Sequence, residues 1–107
     1  EVAERSGVRI RLESERFPAI DGALDLARNE VRTSGDPRNR EFAGPHVELN
    51  GATETLVALG FDPQTSGGLL VSVPSDRGPV LEAEFQANKL FIRRVGHVEE
   101  GAGVVVE

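Results

Sequence analysis

The sequence predicts an α/β domain, a mixed β-sheet packed with helices, in the order strand, helix, optional strand, helix, strand, helix, strand, strand. Three observations carry that prediction. Apolar and charged residues alternate along Val8-Arg9-Ile10-Arg11-Leu12, the pattern of a strand with one buried face. Ile20, Leu24, Ala27 and Val31 fall at helical spacing and form an apolar stripe. Leu69-Leu70-Val71-Ser72-Val73 is almost continuously apolar, as a strand covered on both faces would be. At 107 residues the chain has the usual size of one domain. Residues 1–107 are therefore expected to form a single unit around one modest core.

Taken in order, Val2 to Ser6 reads as the last turn of a helix, with Gly7 suited to a left-handed C-cap. The strand Val8–Leu12 follows. A helix that short, on a chain opening at Glu1 rather than Met, leads to the expectation of a piece from a longer protein. Phe17-Pro18 opens the second helix, with Pro18 in its first turn. That helix ends before the turn residues Thr33-Ser34-Gly35-Asp36-Pro37. From Ser34 to Gly44 the chain is polar and is expected to be an irregular loop exposing Arg38, Asn39 and Arg40. Loops of that length in compact domains are often functional.

Pro45 to Leu49 reads as a short strand or an extended lead-in. Thr53 or Asn50 caps a third helix carrying Leu56, Val57, Leu59 and Phe61. Asp62-Pro63 stops it, because a residue before proline avoids helical angles. Ser75 caps a fourth helix with Pro79 in its first turn, and a strand runs from about Phe91 to Val98. Glu99 to Gly103 then reads as a glycine-bearing hairpin turn, and Val104-Val105-Val106 closes the sheet.

Composition narrows the function. Eighteen acids outnumber 12 bases, for a net charge of −6, so a phosphate-neutralising nucleic-acid surface is not expected. With no Trp or Tyr and five scattered Phe, there is no platform for stacking bases. The absence of Cys removes disulfides, thiolate nucleophiles and thiolate metal sites. His46 and His97 have no partner at ligand spacing, so no metal site is expected from them. No apolar run is long enough to cross a bilayer, and the expected setting is cytoplasmic, without membrane contact.

One stretch stands out as a candidate for chemistry. In Asp62-Pro63-Gln64-Thr65-Ser66-Gly67-Gly68-Leu69-Leu70, proline stiffens the entry and two glycines permit close approach. Thr65 and Ser66 set two hydroxyls beside backbone N–H groups, and such small-residue bends approach phosphate oxygens closely. The same residues also make an ordinary tight turn from helix to strand, and physical chemistry alone leaves both readings open. The pattern is not a Walker loop, because the GxxxxGK[ST] spacing is absent.

These nine residues resemble, position for position, the signature near the end of bacterial selenophosphate synthetases (selenide, water dikinases). Arg38-Asn39-Arg40-Glu41-Phe42 is similar to that family's Arg-Asn segment, and Val95 to Val98 with Gly101 to Val106 is similar to its closing strands. The resemblance implies the C-terminal domain of a two-domain subunit in the AIR-synthase-related superfamily, partly ferredoxin-like in topology. It implies a homodimer built through the N-terminal domains, with ATP and magnesium held mainly by the chain's own N-terminal domain. It implies phosphate transfer from ATP to selenide, giving selenophosphate, AMP and phosphate. The family's nucleophile, its Lys and most of its metal-binding Asp residues lie in the other half, so no catalytic residue is expected here. Thr65, Ser66, Gly67 and Gly68, with Asp62, Gln64, Arg38 and Asn39, would face nucleotide or phosphate as the domain closes over the site. The one Lys, Lys89, stands far from that motif in sequence. Two other readings stay open: another ATP-dependent enzyme of the superfamily, or a non-enzymatic small-ligand-binding domain of the same fold.

Overall fold

A computed structural model describes all 107 residues. Four short strands make one mixed sheet: β1 (Arg9–Leu12), β2 (Val47–Leu49), β3 (Gly96–Glu99) and β4 (Gly103–Val106), in the order β2-β4-β1-β3. Five α-helices accompany it: α1 (Val2–Ser6), α2 (Ala23–Arg28), α3 (Asp36–Ala43), α4 (Glu54–Phe61) and α5 (Gly78–Ala87). The mixed α/β architecture is the one the sequence predicts.

Register explains the core. β1 runs parallel to β4, with Ile10 opposite Val104 and Leu12 opposite Val106. β4 runs parallel to β2, with Val47 opposite Val104 and Leu49 opposite Val106. Because side chains alternate across a strand, Ile10, Leu12, Val47, Leu49, Val104 and Val106 share one face. Helices α3 and α4, with Phe17, lie over this face and enclose a largely apolar cavity of about 290 Å³. Val57 and Ala58 of α4 are buried, and α2 packs on α4 with Ala27 buried. On the opposite face Arg11 donates to Glu99 Oε1 at 3.0 Å and to Glu107 Oε2 at 2.9 Å. The hydrogen bond to Glu99, then that to Glu107, raises the Arg11 pKa above its ordinary value. Reciprocally, the hydrogen bond from Arg11 holds the Glu99 carboxyl below the usual carboxylate range.

Local signals behave as expected at several boundaries. Gly7 sits in the left-handed region (φ 63°) and its amide bonds back to the carbonyls of Ala3 and Glu4. Asp62, ahead of Pro63, is extended at ψ 130° and ends α4; Thr53 holds the N-cap position in an extended conformation, but its side chain makes no capping hydrogen bond.

Other expectations are corrected. The polar segment 34–44 is not a loop: residues 36–43 form α3, with a proline in its first turn. Arg40 Nε donates to Asp36 Oδ2 at 2.9 Å one turn back and supports it. The missing signal was apolar periodicity, since Asp36 is the one buried residue of this helix. The helix expected from Phe17 is shorter: Ser14–Arg16 makes a 3-10 turn and α2 begins after Gly22, whose φ of 82° breaks helical continuity. Ile20 and Val31 are consequently exposed, and only the middle of the stripe is used.

The expected closing hairpin is absent too. β3 and β4 do not pair with each other, because β1 lies between them, antiparallel to β3 and parallel to β4. Gly101 (φ 137°) and Gly103 (φ 81°) carry the chain across the end of β1, where Arg9 Nε donates to the Ala102 carbonyl at 3.3 Å. A turn signal specifies that the chain reverses and not which strand it then meets. The strand expected over 91–98 is paired only from Gly96, and α5 starts at Gly78 with Pro79 in its first turn rather than directly after Ser75.

The largest correction is Leu69–Val73. It forms no strand and is exposed, Leu69 at 93%. An apolar run becomes a central strand only where an edge and two covering layers await it. Here the sheet forms without the run, in the order β2-β4-β1-β3, and α5, which follows it, buries none of its residues and offers no covering layer.

Candidate functional site

The nine-residue motif begins where α4 ends. The last carbonyls of a helix have no intrahelical donor, and the Phe61 carbonyl accepts a hydrogen bond from Asn39 Nδ2 at 2.7 Å. One residue on, Asp62 Oδ1 accepts from Thr33 Oγ1 at 3.3 Å. Next, Pro63 packs on Gly35 so closely that a Cβ at Gly35 would stand 2.7 Å from the proline Cγ. Helix α3 and the residues just before it thus touch three consecutive residues at the head of the motif.

Beyond Pro63 the chain makes a tight turn, with the Gly67 amide donating to the Gln64 carbonyl at 3.2 Å. Gln64, Thr65, Ser66, Gly67 and Gly68 are all exposed. The amides of Thr65, Ser66 and Gly68 form no backbone hydrogen bond, so they are free to meet an acceptor from outside. Gly67 and Gly68 do not adopt left-handed angles. Smallness matters at Gly67, where an added Cβ would stand 3.3 Å from Gln64, whereas nothing lies within 4 Å of a Cβ at Gly68.

Of the residues named from sequence, the fold brings Asn39 against Phe61 and sets Asp62 directly ahead of the turn. Arg38 is exposed on α3, and no ion pair or hydrogen bond engages it. Arg40 is committed to structure: besides Asp36 it donates to Glu54 Oε1 at 2.7 Å, and its guanidinium lies 5.1 Å from the Phe61 ring centroid. Burial opposes the Arg40 charge, but its hydrogen bonds to Asp36 and Glu54 outweigh it and hold the pKa above its ordinary value. Thr33 and Gly35 read from sequence only as turn residues. Their contacts to Asp62 and Pro63 span about 30 positions, and no local pattern encodes them.

The donor set suits an anion and not a cation. Asp62 is the one carboxylate in the motif and already accepts from Thr33, and no three His, Asp or Glu side chains of the chain converge as metal ligands. A magnesium ion does not fit these residues by themselves. No helix is long and apolar enough to cross a membrane.

The fold and the turn define a class first: a mixed α/β domain with unpaired amides and small hydroxyl side chains on an exposed turn. Comparison with known proteins gives the family. No family model matches the sequence. The chain is 34% identical over 110 residues to selenide, water dikinase 2 of Peptoclostridium acidaminophilum, a match covering 99% of this chain and 32% of that protein. It is 36% identical to the selenide, water dikinase of Clostridioides difficile strain 630 over 82% of this chain and 26% of that protein. It is 40% identical to that of Pseudomonas straminea over 95% of this chain and 29% of that protein. The chain belongs to the selenide, water dikinase family, and it spans about a quarter to a third of the length of the curated relatives it matches.

Proposed function

We propose that this chain is the C-terminal domain of an ATP-dependent selenide, water dikinase, and that its Thr65–Gly68 turn faces the phosphates of the nucleotide or product. The observation that carries the proposal is the exposed turn with free amides at Thr65, Ser66 and Gly68, in a chain 34% identical to part of a selenide, water dikinase. Its role is that of a lid. The N-terminal domain holds ATP, magnesium and the selenide-reactive groups, and closure of this domain brings amides and hydroxyls to the phosphates while excluding water. Arg38, exposed one residue from Asn39, adds a cation able to pair with a phosphate oxygen. Magnesium is supplied from outside these residues, as their donor set requires. In this reading the subunit is a homodimer through its N-terminal domains and works in the cytoplasm.

Calorimetric titration with ATP and magnesium tests the proposal. The 107-residue chain is titrated alone and then mixed with a separately made N-terminal domain. Heat from this chain's engagement appears only when both halves are present, and the chain alone turns over no ATP. Equal affinity for ATP by this chain alone would overturn the lid role and favour an autonomous ligand-binding domain.

A further inference from the structure

We infer that Gly35 and Asn39, assisted by Thr33, form a clamp that positions the Gln64–Gly68 turn for phosphate; the inference rests on the phosphate-facing reading of that turn. They are positioning residues, acting through Phe61, Asp62 and Pro63 rather than on the nucleotide. Two of the three contacts are stringent. Asn39 is half-buried, and its amide satisfies the last carbonyl of α4 at 2.7 Å. Gly35 meets the Pro63 ring at a separation that leaves no room for a methyl group. Proline cannot relieve that contact by rotating about its own φ, which its ring fixes. The Thr33–Asp62 hydrogen bond, 3.3 Å long and exposed, is the weakest of the three.

The clamp matters because the turn is anchored on one side only. Downstream, residues 68–73 make no backbone hydrogen bond and are exposed. Nothing after the turn fixes its direction, so its pose is inherited from the three residues before it. Within the turn itself the Gly67–Gln64 bond sets curvature and not placement. A displacement of Pro63 therefore swings every free amide that follows. Effective phosphate binding depends on donors held to a fraction of an ångström, and here that precision originates on α3 and the residues just before it.

Amide NMR of the labelled chain tests this, using Gly35→Ala, Asn39→Ala, Thr33→Val and Thr33→Ser. Gly35→Ala and Asn39→Ala are expected to shift the Thr65–Gly68 resonances and to speed exchange at the Gly67 amide about tenfold, equivalent to about 1.4 kcal/mol. The β4 amides keep their positions and protection. Thr33→Val gives a smaller shift, which Thr33→Ser restores. If Gly35→Ala fails to fold, Asn39→Ala carries the same prediction. The labelled chain is then mixed with the N-terminal domain, and ATP with magnesium is added. Unmoved turn resonances in the variants overturn the clamp and leave the phosphate reading standing. Turn resonances that move in the variants but stay silent when ATP is added to the wild-type mixture overturn the phosphate reading, and the functional half of this inference with it.

Discussion

Gly68→Ala separates the turn's part in folding from its part in function. A Cβ built at Gly68 meets no atom within 4 Å, and the residue does not occupy the left-handed region. The added methyl group therefore costs nothing in the folded state, while it narrows the conformations open to the unfolded chain. Substitutions of this kind stabilise by about 0.4–1 kcal/mol. For a domain near this size that is about 2–8 °C in melting temperature. The neighbouring Gly67→Ala is the control: its Cβ would press to 3.3 Å on both the Gln64 side chain and the Gln64 carbonyl, so the turn must loosen and the gain is lost. Binding should move the other way. A methyl group beside the Gly68 amide holds a phosphate oxygen off, and a tenfold weaker dissociation constant, about 1.4 kcal/mol, is expected for ATP and magnesium in the presence of the N-terminal domain. Urea denaturation and calorimetric titration of the same three proteins give both quantities. Destabilisation by Gly68→Ala of about 1 kcal/mol or more would refute the open placement of the turn, since steric freedom predicts the opposite sign. Stabilisation with unchanged nucleotide affinity would refute the phosphate contact.

Gly96→Ala probes the sheet: a Cβ there runs into the Arg11 carbonyl of β1, so β3 must detach, at about 3 kcal/mol for three or so ladder hydrogen bonds, read by urea denaturation. Val71→Lys should leave stability within about 0.5 kcal/mol, because Val71 is exposed; a loss of about 2 kcal/mol or more would mean that the run is covered. The pH dependence follows from Glu99, whose carboxyl is held below the usual range by Arg11. Its folded-state pKa lies below its unfolded one, so its stabilisation is fully present above about pH 4.3 and is lost as pH falls through the lowered value. Acid denaturation of Glu99→Gln should show a flatter slope below about pH 4.3 than the wild type, and an unchanged slope would assign the acid sensitivity elsewhere.

The amino-acid sequence by itself determined the class of fold, the strand Arg9–Leu12, the cap at Gly7 and the arrest of α4 at Asp62-Pro63. Each of these is local. Alternation, a left-handed glycine and a pre-proline residue act within a few positions, so their effect survives whatever the remainder of the chain does. Helix α3 escaped the same reading because its residues face mostly outward, and an ion pair from Asp36 to Arg40 leaves no apolar period.

Tertiary structure alone decided which strand β4 would join, whether Leu69–Val73 would be covered, and what would hold the motif in place. Pairing β4 with β1 instead of β3 is a choice between edges, made by where the apolar faces of distant segments coincide. The ties from Thr33, Gly35 and Asn39 to Asp62, Pro63 and Phe61 likewise join positions more than 20 residues apart. Such contacts depend on loop closure and packing shape, which no short window of sequence contains. The sequence marks where the turn falls, and only the folded chain sets it against α3.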